Sequence, residues 1–198
     1  MNLKKSLIEI ITLIIVVLTI RLFIISPYVI HGESMLPNYK NSEYILVNKF
    51  LYLFKSPQRW DVVVTTPHSI EWKDFFIKRI IGLPWEKIKI EGWYVYLFNK
   101  DSLNYTKLNE EYLWKYYWKT YVNWSPSAHE YIIPNNKYFL LWDNRLNSTD
   151  SRNCFLTCSE KNNFTLDKSD IIWKIFLVNN NFKLEKRIFT NQNSWDNY

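Results

Sequence analysis

The sequence predicts a mostly β protein, a single N-terminal transmembrane helix followed by an antiparallel β domain. Three observations lead there. An almost wholly apolar run, Ser6 to Ile25, has the length of a membrane crossing. Beyond it the chain breaks into short runs rich in β-branched and aromatic residues, each bounded by turn residues. Outside the apolar run no amphipathic helix stands out, and Leu108 to Lys119 is at best a weak candidate.

Taken in order, residues 1–5 are short and basic and are expected to be a cytoplasmic N-terminus, with residues 6–26 the transmembrane helix. About 20 residues at 1.5 Å each match a hydrocarbon core about 30 Å thick. Glu9 and Arg21 sit near the two ends of the run, where a side chain can reach the interface. The rival reading is a cleaved secretory signal. Against it, Ser26-Pro27-Tyr28 offers no small-x-small cleavage site, and the run is longer than a signal's apolar core. Lys4 and Lys5 favour an inside N-terminus, which places the remainder outside. The predicted strands are Tyr44–Val47, Asp61–Thr66, Lys87–Ile90, Tyr94–Leu97, Tyr138–Leu141 and Ile171–Val178, and residues 189–198 form a polar tail expected to fray.

The formal charge is +6, which suits nucleic acid or an anionic membrane surface. No nucleic-acid motif or long basic block occurs, so with an anchor already present lipid is the expected partner and nucleic acid is not. Cys154 and Cys158 are either two unpaired thiols or a short disulfide clip, the latter suited to an oxidising location. No His or further Cys lies near them in sequence, so neither a metal site nor any cofactor is expected.

Two stretches carry chemistry. Gly32-Glu33-Ser34-Met35-Leu36-Pro37 offers a hydroxyl shortly after the apolar run, and Phe75-Phe76-Ile77-Lys78-Arg79-Ile80-Ile81 offers an amine among apolar neighbours. Together they supply the minimum for a Ser-Lys dyad. A serine is a poor nucleophile without a base. A lysine can serve only when neutral, against an ordinary pKa near ~10.4, and burial among apolar groups lowers that value. If Lys78 lies on a strand, Arg79 points to the opposite face.

Four motifs in order resemble the type I signal peptidases: Ser34-Met35-x-Pro37, Arg59-x-Asp61-Val62-Val63-Val64, Lys78-Arg79-x-x-Gly82-x-Pro84, and Asp143-Asn144-Arg145-x-x-Ser148-x-Asp150-Ser151-Arg152. The resemblance runs to about Val178. It implies a membrane-anchored serine endopeptidase of the plasma membrane that cuts signal peptides from exported preproteins after Ala-x-Ala-like sites, beside the secretion translocon. It also implies an all-β catalytic domain, placed at 27–188, with a smaller insertion placed at about 93–136. On the same resemblance Ser34 is the nucleophile, Lys78 the general base, and Ser148 the hydroxyl that orients the lysine amine. The backbone N–H of Ser34 is the natural oxyanion donor. Gly32 stands where some relatives place a second, a serine hydroxyl. Asp143, Arg145, Asp150 and Arg152 read as architecture. Tyr28, Ile30 and Gly32, with Phe75, Phe76 and Ile77, are candidate walls for an extended substrate, and Met35 is a candidate pocket floor. The alternative is an anchored β module that binds partners with little or no chemistry.

The tryptophans do not fit. Ten Trp stand beside 3 Gly and one Ala. Where the family pattern has glycine, this chain has Trp60, Trp85, Trp142 and Trp173. Glycine suits sites of positive φ or close backbone approach. The expectation from sequence is that UGA codons meaning glycine stand behind these tryptophans.

Overall fold

The computed structural model describes residues 3–66, 75–113, 119–120, 122, 127–146, 149–156, 164–180 and 183–185. Helix α1 (Leu3–Thr19) runs into a wider turn of helix at Ile20–Ile24. The span Lys4–Ile24 is long and apolar enough to cross a membrane, and the described residues leave its apolar stretch unburied. Strand β1 (Ile25–Val29) follows without a loop and pairs antiparallel with β2 (Tyr44–Asn48). The Lys49 backbone N–H donates to the Ile24 carbonyl at 2.8 Å, so the first hairpin hangs directly from the helix end. Pro27 is tolerated in β1 because β1 is an edge strand.

After the short helix α2 (Leu51–Phe54), strands β3 (Val62–Thr65) and β4 (Phe76–Gly82) pair in register, Val63 opposite Lys78. A second sheet follows from β5 (Lys87–Glu91), β6 (Tyr94–Asn99), β7 (Asn104–Lys107) and β8 (His129–Ile132), in the order β7-β6-β5-β8. The chain then returns through β9 (Lys137–Leu141), β10 (Leu166–Asp167), β11 (Ile171–Asn180) and β12 (Lys183–Glu185) to complete the main sheet. Its order is β1-β2-β11-β3-β4-β9-β10, with β12 on β11.

The six predicted strands are present within a residue or two of their expected bounds. The weak helix at 108–119 is not formed where it is described. Leu108–Leu113 is loop and turn, and 114–118 lies outside the described residues. The polar tail also lies outside them. Cys154 is disulfide-bonded, and Cys158, the chain's second cysteine, lies outside the described residues.

Three apolar clusters hold the sheets. One joins the sheets through Ile81, Phe139 and Leu141 of the main sheet and Ile88, Ile90 and Val95 of the second. Gly82 permits that approach, since a Cβ there would stand 2.2 Å from Ile133 Cδ1 and 2.5 Å from Ile88 Cδ1. A second cluster (Ile30, Met35, Tyr39, Ile45, Val47, Val62, Val64, Ile175) lies under the segment carrying Ser34. The third packs Val63, Ile80, Leu140 and Phe155 on the other face.

Candidate active site

Ser34 sits in the turn-rich connection between β1 and β2. Gly32 opens that connection at φ +98, a left-handed backbone that a side chain rarely adopts, and its N–H donates to Asn41 Oδ1 at 3.0 Å. Turns then close from Leu36 N to Glu33 O (3.2 Å) and from Tyr39 N to Met35 O (3.0 Å). Met35, 1% exposed, is driven into the second apolar cluster and fixes its neighbour Ser34 half-buried at the rim. From the other side the Asn144 backbone N–H donates to the Ser34 carbonyl at 2.9 Å, and the Asn144 amide donates to the Glu33 carbonyl at 3.2 Å.

Lys78 lies in the middle of the main sheet and is 1% exposed. Its amine stands 4.1 Å from the Trp142 ring centroid, 4.6 Å from that of Phe76 and 5.8 Å from that of Phe155. Among the described residues it makes no ion pair. Burial pushes its pKa well below the ordinary value of 10.5, with the Asp150 carboxylate pulling more weakly the other way.

One carboxylate ties the site segments together. Asp143 is fully buried and accepts from Arg79 Nε (2.8 Å) and Nη2 (2.6 Å), next to Lys78 on β4. It also accepts from the Asn38 amide at 2.8 Å, four residues after Ser34. Arg79 does leave Lys78's face, as strand alternation requires, but it enters a second buried site rather than solvent. Arg145 is buried too, bonded to the Trp142 carbonyl (2.7 Å), Thr120 Oγ1 (2.8 Å), Glu110 Oε1 (2.6 Å) and the Tyr112 hydroxyl (2.7 Å). Asp150 accepts from the Trp142 N–H (3.2 Å) and from Arg152 Nε and Nη2, each at 2.9 Å. Burial alone would raise the Asp150 pKa, but the Arg152 guanidinium and the backbone donors outweigh it and hold it below the ordinary range.

The structure thus brings Ser34, Met35, Lys78, Asp143, Arg145, Asp150 and Arg152 around the segment 142–145. Tyr28, Ile30, Ile77 and Met35 belong to or pack on one apolar cluster, and Phe75 joins Tyr28 through Trp173, stacked 5.4 Å and 5.3 Å from it. Phe76 faces the Lys78 amine. Ser148 lies outside the described residues. Sequence reasoning missed Asn38, Asn144, Glu110, Tyr112 and Thr120. Only Asn144 had a signal, its place inside the last motif.

The sequence profile of the signal peptidase family, peptidase S26, matches residues 3–177. Signal peptidase I U of Bacillus subtilis (strain 168) is 38% identical over 149 residues, 73% of this chain and 74% of the relative. Signal peptidase I P of Bacillus subtilis subsp. natto is 36% identical over 143 residues, 71% and 73% respectively. A crystal structure of a signal peptidase I from Enterococcus faecalis V583 is 25% identical, covers 59% of this chain and 94% of its own, and superposes with a TM-score of 0.38.

Proposed function

The chain belongs to the signal peptidase family, peptidase S26, serine proteases that remove signal peptides from preproteins, and we propose that it does so with Ser34 as nucleophile and neutral Lys78 as general base. The observation that carries this is the buried amine in its aromatic lining, which is unprotonated far more readily than an exposed lysine. Ser34 Oγ attacks the scissile carbonyl carbon while its proton passes to Lys78 Nζ. The Ser34 backbone N–H donates to the oxyanion. The Lys78 ammonium then returns the proton to the leaving amine, and the acyl-enzyme is hydrolysed by a water that Lys78 deprotonates in turn. Ser148 orients the amine. Asp143, Arg79 and Arg145 hold the segments in place and take no proton.

The substrate lies extended against Tyr28–Gly32 and Phe75–Ile77, with small residues at its −1 and −3 positions. Replacing a −1 alanine of a membrane-embedded preprotein by phenylalanine is expected to stop cleavage, read by gel mobility. Equal cleavage of both substrates contradicts the small-x-small reading.

Residues 27–188 form the catalytic domain, with its insertion at about 93–136, outside the plasma membrane and residues 1–5 inside. Lipid contact is supported by Phe50, Leu53 and Phe54, which are 47%, 73% and 73% exposed. They follow Lys49, whose amine donates to the Leu22 carbonyl at 3.4 Å, so this apolar tip is level with the last turns of the anchor. Leu53→Ser with Phe54→Ser is expected to slow cleavage of a preprotein in vesicles but not of a soluble peptide. Equal loss on both substrates contradicts the lipid role. Protease added outside intact cells is expected to digest the region after Tyr28. Digestion from the cytoplasmic side alone contradicts the orientation.

A further inference from the structure

Three tight turns place a tryptophan where the backbone calls for glycine. In Gln58–Asp61 the Asp61 N–H closes on the Gln58 carbonyl at 3.2 Å, and the third residue, Trp60, has φ 72. In Leu83–Glu86 the Glu86 N–H closes on the Leu83 carbonyl at 3.2 Å, Pro84 is second, and Trp85 has φ 68. Both have positive φ at the third position, the requirement of a type II turn, which selects Gly or Asn there. The hairpin joining β5 to β6 has a two-residue loop, Gly92 and Trp93, with φ 53 and 76. Positive φ at both positions is the type I′ pattern, which favours Asn-Gly or Gly-Gly.

These conformations are pinned. The Gln58 N–H donates to Asp61 Oδ2 at 3.0 Å, the Leu83 N–H donates to Glu86 Oε2 at 2.7 Å, and Arg59 pairs with Glu86 across the two turns. The Trp85 indole, 64% exposed, gives little back, whereas Trp60 packs on the first apolar cluster with a tilted contact to Tyr112 at 5.5 Å, and Trp93 has the Lys119 amine 6.0 Å from its ring. Among the described residues, three of the eight non-glycine residues at positive φ are Trp, although Trp is only 10 of the chain's 198 residues. For a bulky L-residue that backbone is a genuine outlier. Counting 3 Gly and 10 Trp together gives 13 of 198, near the ~7% glycine of an ordinary chain.

We infer that positions 60, 85 and 93 of the working polypeptide are glycine, encoded by UGA codons read as glycine rather than as tryptophan. UGA differs by one base from UGG for tryptophan and by one base from GGA for glycine, so a single reassignment accounts for every case.

Of the four positions named from sequence, Trp60 and Trp85 have the left-handed backbone, while Trp142 and Trp173 do not; Trp93 is added by the structure. Position 142 has its own support. The Trp142 ring covers the Lys78 amine at 4.1 Å, and its buried Nε1–H has no hydrogen-bond partner among the described residues. Glycine there removes the orphaned donor and leaves the Phe76 and Phe155 rings lining the Lys78 amine. This inference stands apart from the assignment of Ser34 and Lys78, because its main evidence is in turns outside the site.

The test is peptide-mapping mass spectrometry of the protein from its native source, read beside the gene. Glycine at 60, 85 and 93 opposite UGA codons is expected. Tryptophan in those peptides, or UGG codons, overturns the inference. A second measurement needs no native source: Trp60→Gly, Trp85→Gly and Trp93→Gly combined are expected to raise the unfolding midpoint of the recombinant chain by roughly 10 °C. An unchanged or lower midpoint overturns the backbone argument.

Discussion

Replacing Lys78 by methionine, or Ser34 by alanine, is expected to abolish preprotein cleavage, lowering kcat by between roughly a thousandfold and a millionfold, because two groups that share one proton act as a unit. Lys78→Met separates lost chemistry from lost fold. The folded pKa of Lys78 lies below its unfolded value, so between the two the unfolded chain binds more protons and stability rises with pH. At neutral pH the buried lysine is therefore a cost, which a methionine of similar shape does not carry. The variant is expected to stay folded, with an unfolding midpoint at or above that of the parent, and the gap should narrow as pH approaches 10.5. Cleavage retained by either variant removes the dyad. A collapsed Lys78→Met protein shows instead that the lysine is structural.

The largest effect on the fold is expected at Asp143. Asp143→Ala takes from the fully buried Arg79 guanidinium the carboxylate it donates to, and from Asn38 one of its acceptors. Breaking a buried ion pair by removing one partner costs about 3–5 kcal/mol. For a chain of this size that lowers the unfolding midpoint by roughly 10 °C. Cleavage should fall as well, since the turn bearing Ser34 and the strand bearing Lys78 meet at this carboxylate. The double variant Arg79→Met, Asp143→Leu is expected to recover much of the stability, because it leaves no buried charge alone. A stability loss under 1 kcal/mol in Asp143→Ala would show that water or another acceptor satisfies Arg79, and that the carboxylate does not organise the site.

The strands were legible because each is a short β-branched or aromatic run closed by turn residues, and the burial of Lys78 because Phe76, Ile77, Ile80 and Ile81 flank the Lys78-Arg79 pair. β1 was not, since Ile25 and Ser26 continue the anchor's apolar run without a break. The anchor also widens its last turn before the chain becomes extended. The fate of Arg79 was half legible. Alternation predicts its face, but nothing local shows that this face is buried, because Asp143 lies 64 residues away. The clamp on Arg145 was illegible for the same reason, its acceptors Glu110 and Thr120 being 35 and 25 residues distant. The segment 108–119 looked faintly helical from its composition. Where it is described, the Glu110 carboxylate and the Tyr112 hydroxyl are both engaged by Arg145, and that long-range bonding outweighs a weak local preference.

The central claim, a buried lysine held neutral for proton transfer, is tested most directly by titrating the Lys78 amine itself. Nitrogen-labelled lysine in the Ser34→Ala protein, followed by NMR across pH, reports that one group without interference from turnover. The expected result is a pKa well below 10.5 that coincides with the acid limb of kcat/KM in the parent enzyme, activity rising as the amine loses its proton. A Lys78 amine that titrates in the ordinary lysine range, or an acid limb that does not follow it, contradicts the claim.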